Sequence, residues 1–370
     1  MSSLELKIRN VTFGRAWLAG PASALFYIAD SLKGHRQMNA AFERWLPSET
    51  LEDKQYLAAL RRDLAYTRFY DDISYDEYFQ YRFRNLTREE RDKFISVRYT
   101  NRVMKHKLDR PAVAITSDKY KTYEFFGKFF RRDVVLVEGE KDREAFLAFA
   151  EKHPEFILKP TNAAHGRGVH KVDVAQYEQD TDSEPACAGA FLPEAANAAF
   201  DCLLTEAPFV AEELVKQDAE MAMFHPESVN TVRLVTVCRE GKVSFLMCCI
   251  RFGLGGSVID NGTAGGILAA VDTKTGEIAT PAFYLTRREE FEAHPDTGAP
   301  IFHTFLPHWD EMRQTTRQMA LMVPDQRIVG WDMALTNGHW VLIEANSCPG
   351  LQPGVGYYKG LREEFFKAVK

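Results

Sequence analysis

The sequence lacks the features that mark several large classes of protein. Its six cysteines are scattered and include no C-x-x-C pair, which excludes a disulfide framework and a zinc-ribbon pattern and is typical of a reducing cytoplasm. The longest apolar run near the N-terminus is too short to span a bilayer, and no small-residue cleavage site follows it. The net charge of −6 argues against nucleic-acid or membrane-surface binding. We therefore expect a cytoplasmic protein with no nucleic-acid partner and no membrane span, whose oligomeric state the sequence leaves unknown.

Common nucleotide-binding motifs are also missing. The N-terminal third has no G-x-G-x-x-G in a strand–helix setting, and the H-R-D and D-F-G elements of protein kinases are absent. Residues 163–172 comprise a glycine-bearing loop and a predicted strand, and they follow another predicted strand at residues 156–160. This loop is therefore not a Walker A loop, which leads into a helix. It is similar instead to a glycine flap that covers phosphates with backbone N–H groups, although a simple turn is the alternative interpretation.

The strongest signal that the sequence does contain is a β-hairpin over residues 328–350, in which two apolar runs meet at Asn337-Gly338. Three polar residues interrupt these runs: Asp332, Glu344 and Asn346. Glu344 and Asn346 are two positions apart, so their side chains share one face of the strand. Two carboxylates and an amide oxygen are hard ligands that suit Mg²⁺ or Mn²⁺. Acids that merely face solvent are the alternative.

The length of the hairpin loop decides whether Asp332 joins the other two residues. A two-residue loop would pair Asp332 with Ile343 and send Glu344 to the opposite face. A three-residue loop over residues 336–338 would pair Asp332 with Leu342 and place both acids on one face, about 6–8 Å apart at Cβ. We predict the three-residue loop, which makes the core face Met333, Leu335, Val341 and Ile343.

The remainder of the chain divides into two parts that differ in predicted secondary structure. Residues 1–112 are predicted to be mainly helical and rich in aromatics, a pattern that more often forms core than a binding site. From residue 113 onward, helices and short strands predict an α+β fold with mainly antiparallel sheet. Ser117-Asp118 predicts a helix start that places Lys119 in the first turn, and Lys159 lies in a short predicted strand.

The order of these segments resembles the ATP-grasp superfamily. The matching segments are Asp118-Lys119, Ile157-Leu158-Lys159-Pro160, Gly166-Arg167-Gly168-Val169, Glu212-Glu213-Leu214-Val215 and the run from Glu344 to Gly350. The last of them is similar to the family's E-x-N-x-x-P-G. The segment Asn230-Thr231-Val232-Arg233 looks like the glutamate-ligase branch, and together with a helical N-terminal region it resembles the sugar-transfer-associated ATP-grasp group. The implied fold has two α+β subdomains, residues 113–207 with the flap and 208–370 with the metal hairpin, after a helical region over 1–112.

The resemblance implies an ATP site made by three groups of residues: Lys119 and Lys159; Gly166 and Gly168; and Glu212, Glu213 and Val215. The lysines would contact the phosphates and the glycines would cover them. The third group would hold adenine and ribose at a hinge.

The resemblance also implies a metal and reaction centre. Asp332, Glu344 and Asn346 would bind two Mg²⁺ ions, with Mn²⁺ as a possible substitute. Arg251 would stabilise the charge on the γ-phosphate or the acyl phosphate. Arg233 and Asn261 would contact the metal side or the substrate. Cys348 lies beside this centre, but no paired base supports a nucleophilic role.

The activity implied by the resemblance is ATP-dependent ligation of a small-molecule carboxylate to an amine through an acyl phosphate, with release of ADP. A uronic acid or another cell-surface sugar carboxylate is one candidate acid, and an amino acid is one candidate amine. A small-molecule kinase on the same fold and a non-catalytic ATP-binding protein are the alternatives. Most relatives carry an α/β domain before the grasp core that often helps to bind the acceptor. Because this region is predicted to be helical here, a role for its aromatic residues Tyr75, Tyr78 and Tyr81 in the acceptor pocket is a hypothesis.

Overall fold

The computed structural model describes residues 35–106, 108, 111–161, 168–177, 193–256, 265–287, 289–352 and 360–370. Within these ranges, a helical region is followed by two β-sheets in which all strand pairs are antiparallel. The predicted α+β class with mainly antiparallel sheet is confirmed. None of the helices in the described ranges is long and apolar enough to cross a membrane.

The helical region begins with the helices His35–Trp45, Lys54–Tyr70, Tyr75–Gln80, Arg88–Arg91 and Val97–His106. Short 3₁₀ helices are Ser48–Glu52 and Phe83–Asn85 here and Glu140–Asp142, Val174–Tyr177 and Leu204–Glu206 farther along. Ser74 with Glu77 and Thr87 with Glu90 form capping boxes. In each box the hydroxyl accepts the backbone N–H three residues on, and the glutamate accepts the N–H of the capping residue, which fixes where the helix starts.

The first sheet has four strands: β1 (Val134–Val137), β2 (Glu155–Pro160), β3 (His170–Asp173) and β4 (Phe209–Glu213). Their order across the sheet is β1-β4-β2-β3. The helices in this part of the chain are Val113–Thr116, Lys119–Phe130, Arg143–Lys152 and Pro193–Leu203. Phe146, Phe156 and Phe200 are fully buried between the sheet and its helices, so an aromatic cluster fastens the helices to the strands.

The second sheet has seven strands: β5 (Val232–Arg239), β6 (Lys242–Phe252), β7 (Ile267–Val271), β8 (Ala282–Phe283), β9 (Glu290–Phe291), β10 (Ile328–Thr336) and β11 (His339–Asn346). Their order is β11-β10-β5-β6-β7-β8-β9. The accompanying helices are Ala219–Ala222, Trp309–Met322 and Arg362–Val369. On one face, Leu234, Cys248 and Trp331 share a core with Met312 and Met319 of the helix Trp309–Met322.

The N-terminal helices cover part of the opposite face of the second sheet. Val235 and Met247 are cross-strand partners on that face and share a core with Leu60 and Phe83 of the helical region. Arg233 is two residues from Val235 along β5, so its side chain leaves the same face. The helical region therefore lies on the face of the sheet that carries Arg233.

The predicted register of the hairpin β10–β11 is wrong, although both acids do share a face. The loop has two residues, Asn337 and Gly338, both with positive φ, as a tight hairpin turn requires. Thr336 pairs with His339, and Met333 pairs with Leu342. A β-bulge then takes up Ile343, so that Asp332 pairs directly with Glu344. The extra residue reverses the alternation that a two-residue loop alone would impose.

Because of the bulge, the predicted core face of the hairpin is also partly wrong. Met333 and Leu335 do point into the core, but their partners there are Leu342 and Trp340 rather than Ile343 and Val341. Ile343 instead lines a cleft between the two sheets.

A glycine in β10 allows the chain after β11 to lie close to the acids. A Cβ at Gly330 would stand 2.7 Å from Cβ of Pro349 and 3.7 Å from Cδ of Arg233. The proline of the E-x-N-x-x-P-G segment therefore packs over a position, two residues from Asp332, that has no room for a side chain.

Replacing Gly330 by Ala is expected to destabilise the protein by about 1–3 kcal/mol, because the new methyl group overpacks against Pro349. Urea unfolding monitored by tryptophan fluorescence measures the change. Gly127→Ala is the matched control, since a Cβ there meets nothing within 4 Å. A control variant that loses as much stability as Gly330→Ala would contradict this packing argument.

Candidate active site

The structure brings the three predicted metal ligands together at the β10–β11 hairpin. Asp332 on β10 lies opposite Glu344 on β11, and the amide nitrogen of Asn346 is 3.3 Å from Oδ2 of Asp332. Asp332 is only 2% exposed, whereas Glu344 and Asn346 are half-buried. The two carboxylates are therefore cross-strand neighbours, and the side-chain amide of Asn346 lies beside Asp332.

Two guanidinium groups bind the carboxylate of Asp332. Arg233 donates Nε to Oδ1 at 2.6 Å and Nη2 to Oδ2 at 2.7 Å, which is a bidentate pair. Nη2 of Arg251 lies 2.9 Å from Oδ2. Burial opposes ionisation of Asp332, but the two arginines outweigh it and lower its pKa to about 2. Asp332 is therefore a permanent anion at neutral pH.

Glu344 has the opposite electrostatic character. Burial and the neighbouring Asp332 carboxylate raise the pKa of Glu344, against the opposing influence of Arg233, Lys119 and Lys159. A dication at the pair would favour the ionised form of Glu344, because nearby positive charge stabilises a carboxylate. The two acids thus differ in role: Asp332 is already neutralised by protein groups, and Glu344 is the acid with more to gain from a bound cation.

The N-T-x-R segment holds the two arginines in place. Thr231 accepts hydrogen bonds from Arg251 at Oγ1, from Nε at 3.0 Å and from Nη2 at 2.6 Å. Asn230 is fully buried and donates to the carbonyl oxygens of Met221 and His225. Gln217 accepts both the backbone and side-chain N–H groups of Asn230. Gln217 was not predicted as part of the site, because only the fold brings it to Asn230.

Both predicted lysines lie at the first sheet. Nζ of Lys159 donates to Oε2 of Glu212 at 2.9 Å, and Nζ of Lys119 donates to the carbonyl oxygen of Pro160 at 2.9 Å. Lys119 stands in the first turn of the helix Lys119–Phe130, whose start is capped by Asp118 as predicted. Burial lowers the pKa of Lys119, and the charge of Lys159 lowers it further, while the charge of Glu344 raises it.

The side chain of Glu212 belongs to a buried ion-pair network. Its Oε2 accepts hydrogen bonds from Lys159 and from Arg132, the latter at 2.7 Å from Nη2. Burial raises the pKa of Glu212, but Lys159 and Arg132 together bring it down to about 2. Arg132 also donates to the backbone oxygen of Leu342 at 2.6 Å, which connects the first sheet to β11. The role of this segment at an adenine hinge stays a prediction.

Four residues predicted to bind nucleotide line a cleft of about 450 Å³ between the sheets: Lys159, Glu212, Glu213 and Val215. Its walls include Lys159 and Val215 on one side and Thr231 and Ile343 on the other. This volume is in the range of small-molecule sites. Glu213 also borders the cleft, and its carboxylate accepts the backbone N–H of Asp133 at 3.0 Å.

Of the flap, only its C-terminal end is described. Gly168 has φ of +67°, and a Cβ there would stand 2.8 Å from Cγ of Pro160. Both the conformation and the close approach require glycine at this position. Gly166 of the flap and Asn261, predicted to contact the metal side or the substrate, lie outside the described residues.

A family model described as sugar-transfer associated ATP-grasp matches residues 91–370, which is more than half of the chain. The chain belongs to this ATP-grasp family. The match confirms the predicted ATP-grasp fold, and the helices described from residue 35 onward confirm that a mainly helical region precedes it. The boundary at residue 112 and the division into subdomains stay predictions.

Several solved structures are similar to this ATP-grasp protein at low sequence identity. D-alanine–D-alanine ligase from Bacillus anthracis is 14% identical, with 70% of this chain and 68% of that chain covered and a TM-score of 0.35. L-amino acid ligase from Bacillus licheniformis is 14% identical, with coverage of 70% and 49% and a TM-score of 0.39. N5-carboxyaminoimidazole ribonucleotide synthetase from Thermus thermophilus is 15% identical, with coverage of 69% and 52% and a TM-score of 0.36. No curated protein matches the chain.

Replacing Glu212 by Gln is expected to lower the free energy of unfolding at pH 7 by about 3 kcal/mol, because Arg132 and Lys159 lose a buried anion. The difference from the native protein should be constant above the ordinary pKa of 4.5 and should shrink as the pH falls from there towards 2. The sign follows from the lowered native pKa, since protonation of the native carboxylate removes the same ion pairs.

Urea unfolding between neutral and acidic pH measures this dependence. Glu213→Gln is the matched control, because that neighbour is only half-buried and accepts a single backbone N–H, so its loss should stay within about 1 kcal/mol. Equal losses at both positions, or a Glu212→Gln deficit that persists at low pH, would contradict the buried ion-pair assignment.

Proposed function

We propose that this ATP-grasp protein is an ATP-dependent carboxylate–amine ligase that forms an amide through an acyl phosphate. The observation that carries the proposal is the pairing of Asp332 and Glu344 across the hairpin, with Arg251 bound to the same carboxylate as Arg233. Membership in the family supports the same class of reaction. The proposed substrates are a small-molecule carboxylate, with a sugar acid as one candidate, and an amine such as an amino acid.

The residues present fit the metal that this reaction requires. Asp332, Glu344 and Asn346 supply oxygen ligands of the kind that Mg²⁺ and Mn²⁺ prefer. Bound by these residues, Mg²⁺ would neutralise charge on the phosphates of ATP. Family membership and the chemistry of the donor set both support ATP and Mg²⁺ as the cofactors.

The residues of the chain contribute mainly by positioning and by charge. In the first step, a carboxylate oxygen attacks the γ-phosphorus and ADP leaves; in the second, the amine attacks the acyl carbon and phosphate leaves. Lys159 exchanges its hydrogen bond with Glu212 for one with a phosphate oxygen of ATP. Arg251 is oriented by Thr231 and supplies positive charge where the transferred phosphoryl group gains negative charge. The flap, of which Gly168 is the described end, would exclude water that hydrolyses the acyl phosphate.

Replacing Glu344 by Gln is expected to reduce turnover at least about 100-fold, because one metal ligand loses its charge. The measurement is release of ADP and phosphate from Mg²⁺-ATP in the presence of paired carboxylates and amines. Glu363→Gln, in the exposed C-terminal helix, is the control and should behave like the native protein.

The products separate the possible activities. Phosphate release that requires both a carboxylate and an amine supports the ligase. Phosphate retained on an acceptor hydroxyl would replace the ligase by a small-molecule kinase. Bound ATP with no turnover for any pair would favour a non-catalytic ATP-binding protein.

Nucleotide is expected to strengthen Mn²⁺ binding at least about tenfold, a typical size for coupling between two ligands. The reason is that Arg233 and Arg251 occupy both oxygens of Asp332, and a γ-phosphate gives Arg251 another anion to bind. Electron paramagnetic resonance of free Mn²⁺, with and without a non-hydrolysable ATP analogue and corrected for the Mn²⁺–nucleotide complex, measures the effect. Tight Mn²⁺ binding without nucleotide, or an unchanged enhancement in Glu344→Gln, would refute this coupling.

A further inference from the structure

A second and larger cavity, of about 810 Å³, lies between the N-terminal helices and the β8–β9 edge of the second sheet. Its aromatic lining includes Trp45, Tyr56 and Phe79 from the helices and Phe283 and Tyr284 from the sheet edge. We propose that this cavity binds the body of the acceptor, and that the acceptor is an oligosaccharide-sized molecule carrying carboxylates. The proposal rests on the ligase function and names the class of substrate for that site.

The strand register places the cavity on the same face of the sheet as the reaction centre. Arg251 on β6 pairs with Leu268 on β7, and Leu268 pairs with Phe283 on β8. Residues opposite each other in antiparallel strands project to one face, so Phe283 and Arg251 share a face. Two strand spacings of about 4.8 Å separate their backbones by roughly 10 Å. A single amino acid is too short to fill the cavity and reach Arg251, whereas a molecule of two or three sugar rings is long enough.

Cations in the cavity indicate an anionic ligand. The guanidinium of Arg84 lies 4.3 Å from the ring centroid of Tyr56, and that of Arg287 lies 3.7 Å from that of Tyr284. Arg287 is also 3.4 Å from Glu289, whereas Arg84 has no ion-pair partner among the residues that the structure describes. A guanidinium held over an aromatic ring is a preorganised donor for a carboxylate. Arg84 is therefore the cation best placed to bind an acidic group of the acceptor.

The walls of the cavity are tied to each other, which makes it a formed site rather than a gap. Gln80 donates from Nε2 to the carbonyl oxygen of Leu285, and Arg82 forms an ion pair with Glu290. Each contact joins the helical region to the segment around β8 and β9. Aromatic faces between fixed walls, with a few charged and amide groups, are the composition expected of a specific small-molecule site.

Of the three aromatic residues named in the acceptor hypothesis, two line this cavity. Tyr78 and Tyr81 are lining residues but are 1% and 4% exposed, and Tyr75 is buried in the core of the helical region. The hydroxyl of Tyr78 is bonded to Asp63. These tyrosines therefore form the floor of the cavity, and the residues available to a ligand are those around Arg84 and Tyr284.

The test is isothermal titration calorimetry of the full chain with trigalacturonic acid, and with maltotriose as the uncharged probe of the same length. We expect trigalacturonic acid to bind and maltotriose to bind at least tenfold more weakly. Arg84→Gln and Arg287→Gln should each weaken trigalacturonic acid binding about tenfold or more, as loss of a charge-assisted hydrogen bond predicts. Arg62→Gln, an exposed arginine outside the cavity, is the matched control and should bind like the native protein.

Two further readouts keep this result separate from the proposed function. Binding of a non-hydrolysable ATP analogue should be unchanged in Arg84→Gln, which shows that the variant is folded, and Glu344→Gln should still bind trigalacturonic acid. If trigalacturonic acid binding depends on Arg84 but the protein shows no ligase turnover, the cavity proposal stands and the proposed ligase function is wrong. Ligase turnover on other acids, with no trigalacturonic acid binding or with binding that ignores Arg84 and Arg287, would overturn the cavity proposal and leave the ligase standing.

Discussion

A buried carboxylate between two guanidinium groups is the interaction on which the candidate active site depends. Removing Asp332 from water would cost several kcal/mol if it were unpaired, and Arg233 and Arg251 supply the compensating charge and hydrogen bonds. Because the three residues come from three adjacent strands, their contact is possible only in one register of the central sheet. Thr231 of the N-T-x-R segment also binds Arg251, which keeps that guanidinium beside Asp332.

The parts of the structure that sequence could predict are those with local causes. Asn337-Gly338 marks the turn, the capping residues mark helix starts, and the spacing of Glu344 and Asn346 places them on one face. The bulge at Ile343 has no comparable local signal in the sequence, yet it is what brings Asp332 opposite Glu344. The predicted three-residue loop correctly placed both acids on one face, but the structure achieves this with a two-residue loop and a bulge.

Other features of the site were beyond sequence reasoning because they join distant positions. Arg132 meets Glu212 from 80 residues away, and Gln217 meets Asn230 only after the sheet has formed. The packing of Pro349 over Gly330 also joins distant positions, and neither residue alone predicts the contact from the sequence. The types and order of residues were enough to predict the family. The arrangement of charges around each acid became known only from the folded structure.

The ion-pair network at Glu212 has a consequence for how the cleft between the two sheets could take up an anion. Two cations share one carboxylate oxygen there, so the departure of Lys159 would still leave Glu212 neutralised by Arg132. An anion that entered the cleft could therefore bind Lys159 without leaving the buried Glu212 carboxylate unpaired. Since Arg132 also donates to the carbonyl oxygen of Leu342, the residue that remains behind is the one that links the two sheets. Lys159 could therefore change its binding partner while Arg132 continues to join the two sheets.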